Sequence, residues 1–139
     1  MPGDKNALAG AYPAAKRDPL ADCPLNATFR AVGGRWKLTL LYWLAREPNH
    51  FLGLQRRVAP ISHKVLTEQL RELEAAGLVE RESTGPVPSP VRYRLSAYGQ
   101  TVLPLVEAAR VWGLEHLHRT RGGTATSDPS DALACTAAV

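Results

Sequence analysis

Three observations predict a mainly α chain carrying one small β-hairpin: hydrophobic residues at helical spacing between about Cys23 and Val58, a leucine stripe after Ser62, and two alternating runs around a Pro-rich link. The first helix is read at PLNATFRAV, with Pro24 at its first turn and Gly33-Gly34 as its stop. The second, RWKLTLLYWLARE, spaces Trp36, Leu40, Leu41 and Leu44 along a buried face and ends before Pro48-Asn49. FLGLQRRVA puts Phe51, Leu54 and Val58 on one side of a shorter third helix, which Pro60 closes. Ser62 is a natural N-cap for the fourth, HKVLTEQLRELEAAG, where Leu66, Leu70 and Leu73 form one stripe and Gly77 supplies the exit. LVERES and VRYRL then alternate on either side of TGPVPSP, a two-stranded antiparallel hairpin with an irregular tip. A single long helix is expected from Ala97 to His118.

At 139 residues, with 45% hydrophobic and 22% charged, the chain has the composition of one globular domain with tails. The folded unit is placed at 22–119, between mobile tails at 1–21 and 120–139 that are rich in Ala, Gly, Pro and small polar residues. No apolar run reaches the ~18 to 20 residues of a bilayer span, and the start lacks the apolar stretch of a secretory signal, so no membrane role and a cytoplasmic, nucleoid-associated location are expected. The two cysteines, Cys23 and Cys135, are too few and too far apart for a disulfide scaffold or a zinc site.

Helix, helix, short helix, tight turn, helix and hairpin is the order of a winged helix-turn-helix, its turn formed by APIS between Val58 and His63. With the leucines inward, Lys64, Glu68 and Arg71 lie on the opposite face of the fourth helix and Thr67 on its flank. Ser62, His63 and Lys64 stand at the helix start, where free N–H groups meet phosphates or base edges. Between Arg30 and Lys64, seven basic residues, Lys37 and Arg56 among them, face one acid, Glu47. Arg92 and Arg94 stand two apart on the second hairpin strand and share a face that can meet backbone or minor groove. The bland alternative is a solvated face with Lys64 and Glu68 paired at i, i+4, and a solvated wing strand. The last helix is apolar over more of its surface than one small domain needs, which predicts a homodimer. Val102, Leu105, Ala109 and Trp112 repeat along it at four and three, beside Val106.

These residues resemble a known family. Cys23-Pro24, the run Gly33-Gly34-Arg35-Trp36-Lys37, ISHKVLTEQLRELEAAGLVER from Ile61 to Arg81, PVPSPVRYRLSAYGQTVLPL and Trp112-Gly113 together are similar to the HxlR-type winged helix-turn-helix regulators of bacteria, relatives of the MarR group. The resemblance implies an inverted-repeat operator in double-stranded DNA, the fourth helix in the major groove, and a dimer built by the terminal helices, here Leu25 and Phe29 with Val102, Leu105, Val106, Ala109 and Trp112. It departs from the pattern at His63, where a glutamine is expected, and at Arg92, where an acid is frequent. Several members resemble thiol switches with a cysteine before the first helix, the position of Cys23. As the N-cap of a helix starting at Pro24, Cys23 holds its sulfur by the positive helix end, an arrangement that favours the thiolate toward an oxidant or electrophile. The resemblance also makes Cys135 a candidate resolving thiol; a sulfenic acid or mixed disulfide at Cys23 is the other course.

Rival readings stay open. One is the same fold gated by a small aromatic or aldehyde ligand among Trp36, Trp43 and Trp112; another is a protein-interaction module that binds no DNA. No catalytic constellation, cofactor motif or metal set is expected: His50, His63, His116 and His118 lack an oxyanion-hole or phosphate motif, and His116-x-His118 does not place both rings on one helix face.

Overall fold

The computed structural model describes residues 19–83, 85–86 and 90–121. They fall into two compact units, the first ending at Gly33 and the second beginning at Gly34. Residues 1–18 and 122–139, on which most of both expected tails and Cys135 fall, lie outside the described residues.

The first unit holds helix α1, Pro24–Val32, with Cys23 as N-cap, Pro24 at the first turn, and Gly33 as C-cap, its N–H returning to the Phe29 carbonyl. Val32 is the buried residue of α1, whereas Leu25 and Phe29 are exposed.

The second unit runs α2 Lys37–Arg46, β1 Asn49–His50, α3 Phe51–Arg57, α4 His63–Ala75, β2 Val79–Ser83, β3 Val91–Leu95, α5 Ala97–Gln100 and α6 Leu103–Thr120. Its core is built by the stripes that define the helices: Leu40, Leu41 and Leu44 from α2, Leu54 from α3, and Leu66, Leu70 and Leu73 from α4. Val79, Tyr93 and Leu95 of the sheet and Val106 of α6 close it. Each fully buried leucine contributes about 1.5–3 kcal/mol of transfer free energy, so α4 is held chiefly by its stripe. Ser62 caps α4 by accepting from the Val65 N–H at 3.1 Å, and Gly77 leaves it at φ 77°, a left-handed conformation that a side chain would strain.

Two expectations are corrected. The hairpin is the larger part of a three-stranded antiparallel sheet in the order β1-β3-β2, because Asn49 and His50 pair with Tyr93 and Arg92. Two residues between Pro48 and a helix carry no readable alternation, so the sequence hides this strand. The last helix, expected to be continuous from Ala97, is broken into α5 and α6. Pro104 lacks the N–H an uninterrupted helix needs and its ring opposes the carbonyl four residues back, that of Gln100; instead it occupies the first turn of α6. The short α5 exists for packing. A Cβ on Gly99 would overlap the Leu78 carbonyl oxygen, and Ser96 caps α5 by accepting from the Gly99 N–H at 2.8 Å while donating to the Gly77 carbonyl at 2.5 Å.

Candidate nucleic-acid interface

The turn between α3 and α4 is fixed from inside. Ile61 is buried and its N–H donates to the Val58 carbonyl at 3.1 Å, while Gln55 donates from Nε2 to the Ile61 carbonyl at 3.4 Å. With Leu66, Leu70 and Leu73 buried beneath it, α4 turns Ser62, His63, Lys64, Glu68 and Arg71 outward, and all five are exposed. Thr67 is half-buried on the flank, its hydroxyl donating to the His63 carbonyl at 2.8 Å. The His63 ring lies 4.5 Å from that of Phe51 on α3, a contact that steadies the start of the helix.

Pairing separates these cations from others nearby. Among the described residues neither Lys64, Arg56 nor Arg71 has a carboxylate within 4.0 Å, and the i, i+4 pair of Lys64 with Glu68 is not formed. Arg57, beside Arg56, is drawn back instead: it lies 3.4 Å from Glu47 and 4.9 Å above the Trp43 ring. Among the described residues the helix-turn-helix thus carries three exposed cations, Arg56, Lys64 and Arg71, with no carboxylate partner.

Lys37 does not belong to that set, and its expected place among the DNA contacts is corrected. It is 8% exposed, and its Nζ sits 2.7 Å from Glu72 on α4. Its stem is buried with α2, which leaves the ammonium to be matched by a protein carboxylate rather than a phosphate.

The wing is different again. Arg92 and Arg94 do share a face of β3, opposite to Tyr93 and Leu95, which point inward. Register sets Glu82 across from Arg92 and Glu80 across from Arg94, and Arg94 binds Glu80 through Nε at 3.1 Å and Nη2 at 3.0 Å. Half-buried Arg92 and paired Arg94 therefore present a mixed-charge face. The exposed cation that sequence reasoning missed is Arg81, which pairs in register with Tyr93 and so shares its face. The Tyr93 hydroxyl is held above its ordinary value, chiefly by burial, with Arg81 drawing it down, Glu74 pushing it up and Arg71 drawing it down. The alternation in VERES contained this signal, since Arg81 falls between two glutamates of the other face.

On α6, Leu105, Val111, Trp112, Leu114 and Leu117 are exposed, with Trp112 at 68% and stacked on His116 at 4.9 Å. Val102 and Ala109 are half-buried. Val106 is corrected: at 6% exposure it belongs to the core of its own chain, because α6 packs that side against α2.

Cys23 is half-buried at the start of α1, its sulfur making no capping hydrogen bond and its N–H donating to the Leu20 carbonyl at 3.0 Å. The tryptophans lie in separate surroundings: Trp36 under Arg35 at 4.5 Å, Trp43 buried against Tyr42, and Trp112 on the α6 surface. Among the described residues no group of three His, Cys, Asp or Glu is placed to hold a metal, and no helix is long and apolar enough to cross a membrane.

Comparison with known proteins agrees with this geometry. A family model described as HxlR-like helix-turn-helix matches residues 31–121. An HTH-type transcriptional regulator of Halalkalibacterium halodurans is 39% identical over 98 residues, 70% of this chain and 87% of that protein. The crystal structure of the HTH-type transcriptional regulator ytcD superposes with a TM-score of 0.64 at 36% identity, covering 68% of this chain and 97% of that one. The redox regulator HypR in its oxidised form gives 0.63 at 40% identity, covering 66% and 94%.

Proposed function

The chain belongs to the HxlR-like helix-turn-helix family and is a transcriptional regulator of the HTH type, and on that premise we propose that it binds an inverted-repeat operator as a homodimer and is switched through Cys23. The observation that carries the DNA reading is that Arg56, Lys64 and Arg71 stand without a carboxylate partner among the described residues, together with the capped start of α4. Unpaired cations exchange mobile counterions for phosphates at no cost in broken ion pairs, and N-terminal N–H groups of a helix add to the attraction. Lys64, Glu68 and Arg71 reach base edges, with Arg71 suited to guanine and Glu68 to a cytosine amine, while His63 and Ser62 meet the backbone. Two copies of α4 lie about one DNA turn, ~34 Å, or a multiple of it apart.

The dimer reading rests on the exposed apolar residues of α6, Leu105 and Trp112 on one face and Leu117 on a neighbouring one, with Leu25 and Phe29 as exposed apolar residues of α1. The switch rests on Cys23 at a Pro-initiated helix start and on the similarity to a redox regulator. Oxidation or alkylation of Cys23 changes the spacing of the two reading helices and hence operator affinity.

The test selects an operator from random duplex DNA with the reduced protein, then compares its affinity before and after a thiol oxidant, with Cys23→Ser as control. A change of tenfold or more on oxidation, absent in Cys23→Ser, is the expected result. Binding that ignores the oxidant removes the switch, and failure to select any sequence removes the operator.

A further inference from the structure

We propose that Lys37 is a positioning residue for DNA recognition, setting the roll of α4 about its own axis through Glu72; the proposal rests on the operator-binding reading above. Counting 100° per residue from Lys64, Glu68 and Arg71 lie within about 40° of it, the leucine stripe lies about 180–240° away, and Glu72 falls at about 80°. Glu72 therefore stands on the flank, between the face that reads and the face that is buried. A stripe of leucines holds a helix down but is non-directional, and a small rotation costs it little contact. A charge pair is directional. Lys37 Nζ is 2.7 Å from Glu72 Oε2, the lysine side chain is only 10% exposed, and it starts α2, whose leucines anchor it in the core.

The pair acts on one end of α4 while a different contact acts on the other. His63 rests on Phe51 at 4.5 Å at the helix start, and Ser62 caps it. Glu72 lies in the last turn, about two and a half turns beyond the first helical residue at about 3.6 residues per turn. Held at both ends, the helix presents Lys64, Glu68 and Arg71 at one angle. The two partners differ in surroundings: Glu72 is 56% exposed at its side chain and stays hydrated without Lys37, whereas Lys37 depends on Glu72 for its counter-charge. Lys37→Met thus releases the helix without leaving a buried charge, and Glu72→Gln weakens the same tie from the other side.

The experiment measures Lys37→Met and Glu72→Gln in the full chain. Affinity for the selected operator and for unrelated duplex DNA is followed across a salt series, and the orientation of α4 relative to α2 is read by residual dipolar couplings of the free protein. Each variant is expected to lose about tenfold in operator affinity, the effect of one misaligned base contact, with an unchanged salt slope and unchanged affinity for unrelated DNA. The couplings of α4 shift against those of α2 in both variants. A salt slope lower by about one in Lys37→Met, with parallel loss on unrelated DNA, makes Lys37 a phosphate contact and overturns the proposal. So does a silent Glu72→Gln beside a weakened Lys37→Met, or couplings that match the wild type in both. If the wild type selects no operator, the operator-binding reading falls, and the couplings still decide whether the pair sets the helix angle.

Discussion

Helix α4 and the wing carry the same kinds of residue in opposite states. On α4 and the end of α3, Arg56, Lys64 and Arg71 stand without a carboxylate within 4.0 Å among the described residues, whereas on the hairpin Arg94 is tied to Glu80 and Arg92 faces Glu82 across the ladder. Both regions look basic when arginines and lysines are counted. A cation already paired must give up that pair before it binds phosphate, so the net gain is small; an unpaired one releases only counterions. Pairing rather than basic content is what separates the two surfaces in the free energy they would gain from phosphate.

The largest way to break the contrast is to remove what presents the α4 face. Leu70 is 1% exposed at the centre of the stripe, and Leu70→Ala is expected to cost about 2–5 kcal/mol of stability, read from chemical denaturation, while abolishing DNA binding at temperatures where the variant unfolds. Next comes the face itself. Lys64→Ala and Arg71→Ala should each cost about 1–3 kcal/mol in operator affinity at unchanged thermal stability, since neither side chain is buried. Affinities equal to the wild type in both variants would place the reading face elsewhere on the domain.

The wing sharpens the comparison in the opposite sense. Arg94→Ala is expected to change operator affinity by less than about 1 kcal/mol, because Arg94 is engaged with Glu80. Glu80→Gln removes the partner and frees the guanidinium, so affinity should rise and the salt slope should grow by as much as about 0.9, one further phosphate. A salt series on that one variant tells a silent wing from a masked one.

How much of this was legible in the sequence follows from the range of the signals. The four helices up to Ala75, the Ser62 cap, the Gly77 exit and the outward face of α4 are encoded locally, by 100° steps and by capping residues, and they stand where the periodicity puts them. Pairings between distant segments carry no such signal. Lys37 and Glu72 are 35 positions apart, and a lysine after a tryptophan at a helix start reads the same whether it faces phosphate or a buried carboxylate. Asn49–His50 became a strand only because β3 offered an open edge, and Val106 left the expected dimer face because α2 needed it. The break before α6 was legible and undervalued: Pro104 declares it, but the apolar residues on both sides read as one continuous stripe.

The smallest predicted effect lies on α6, where a third state of charge is found. Glu107 and Arg110 pair at i, i+3, and the hydrogen bond from Arg110 holds the Glu107 carboxyl below its ordinary value. A carboxyl depressed in the folded state stabilises it at every pH above the unfolded-chain value, and that stabilisation fades as pH falls through the folded value. Wild type and Glu107→Gln should therefore differ slightly in thermal stability near neutrality, and the difference should close below the ordinary carboxylate range. Operator affinity at neutral pH should be the same for both, because a paired charge on the helix remote in sequence from α4 neutralises no phosphate. A difference in stability that persists at low pH would mean that the glutamate acts through its methylenes and not through its charge, and a change in the salt slope would move part of the DNA surface onto α6.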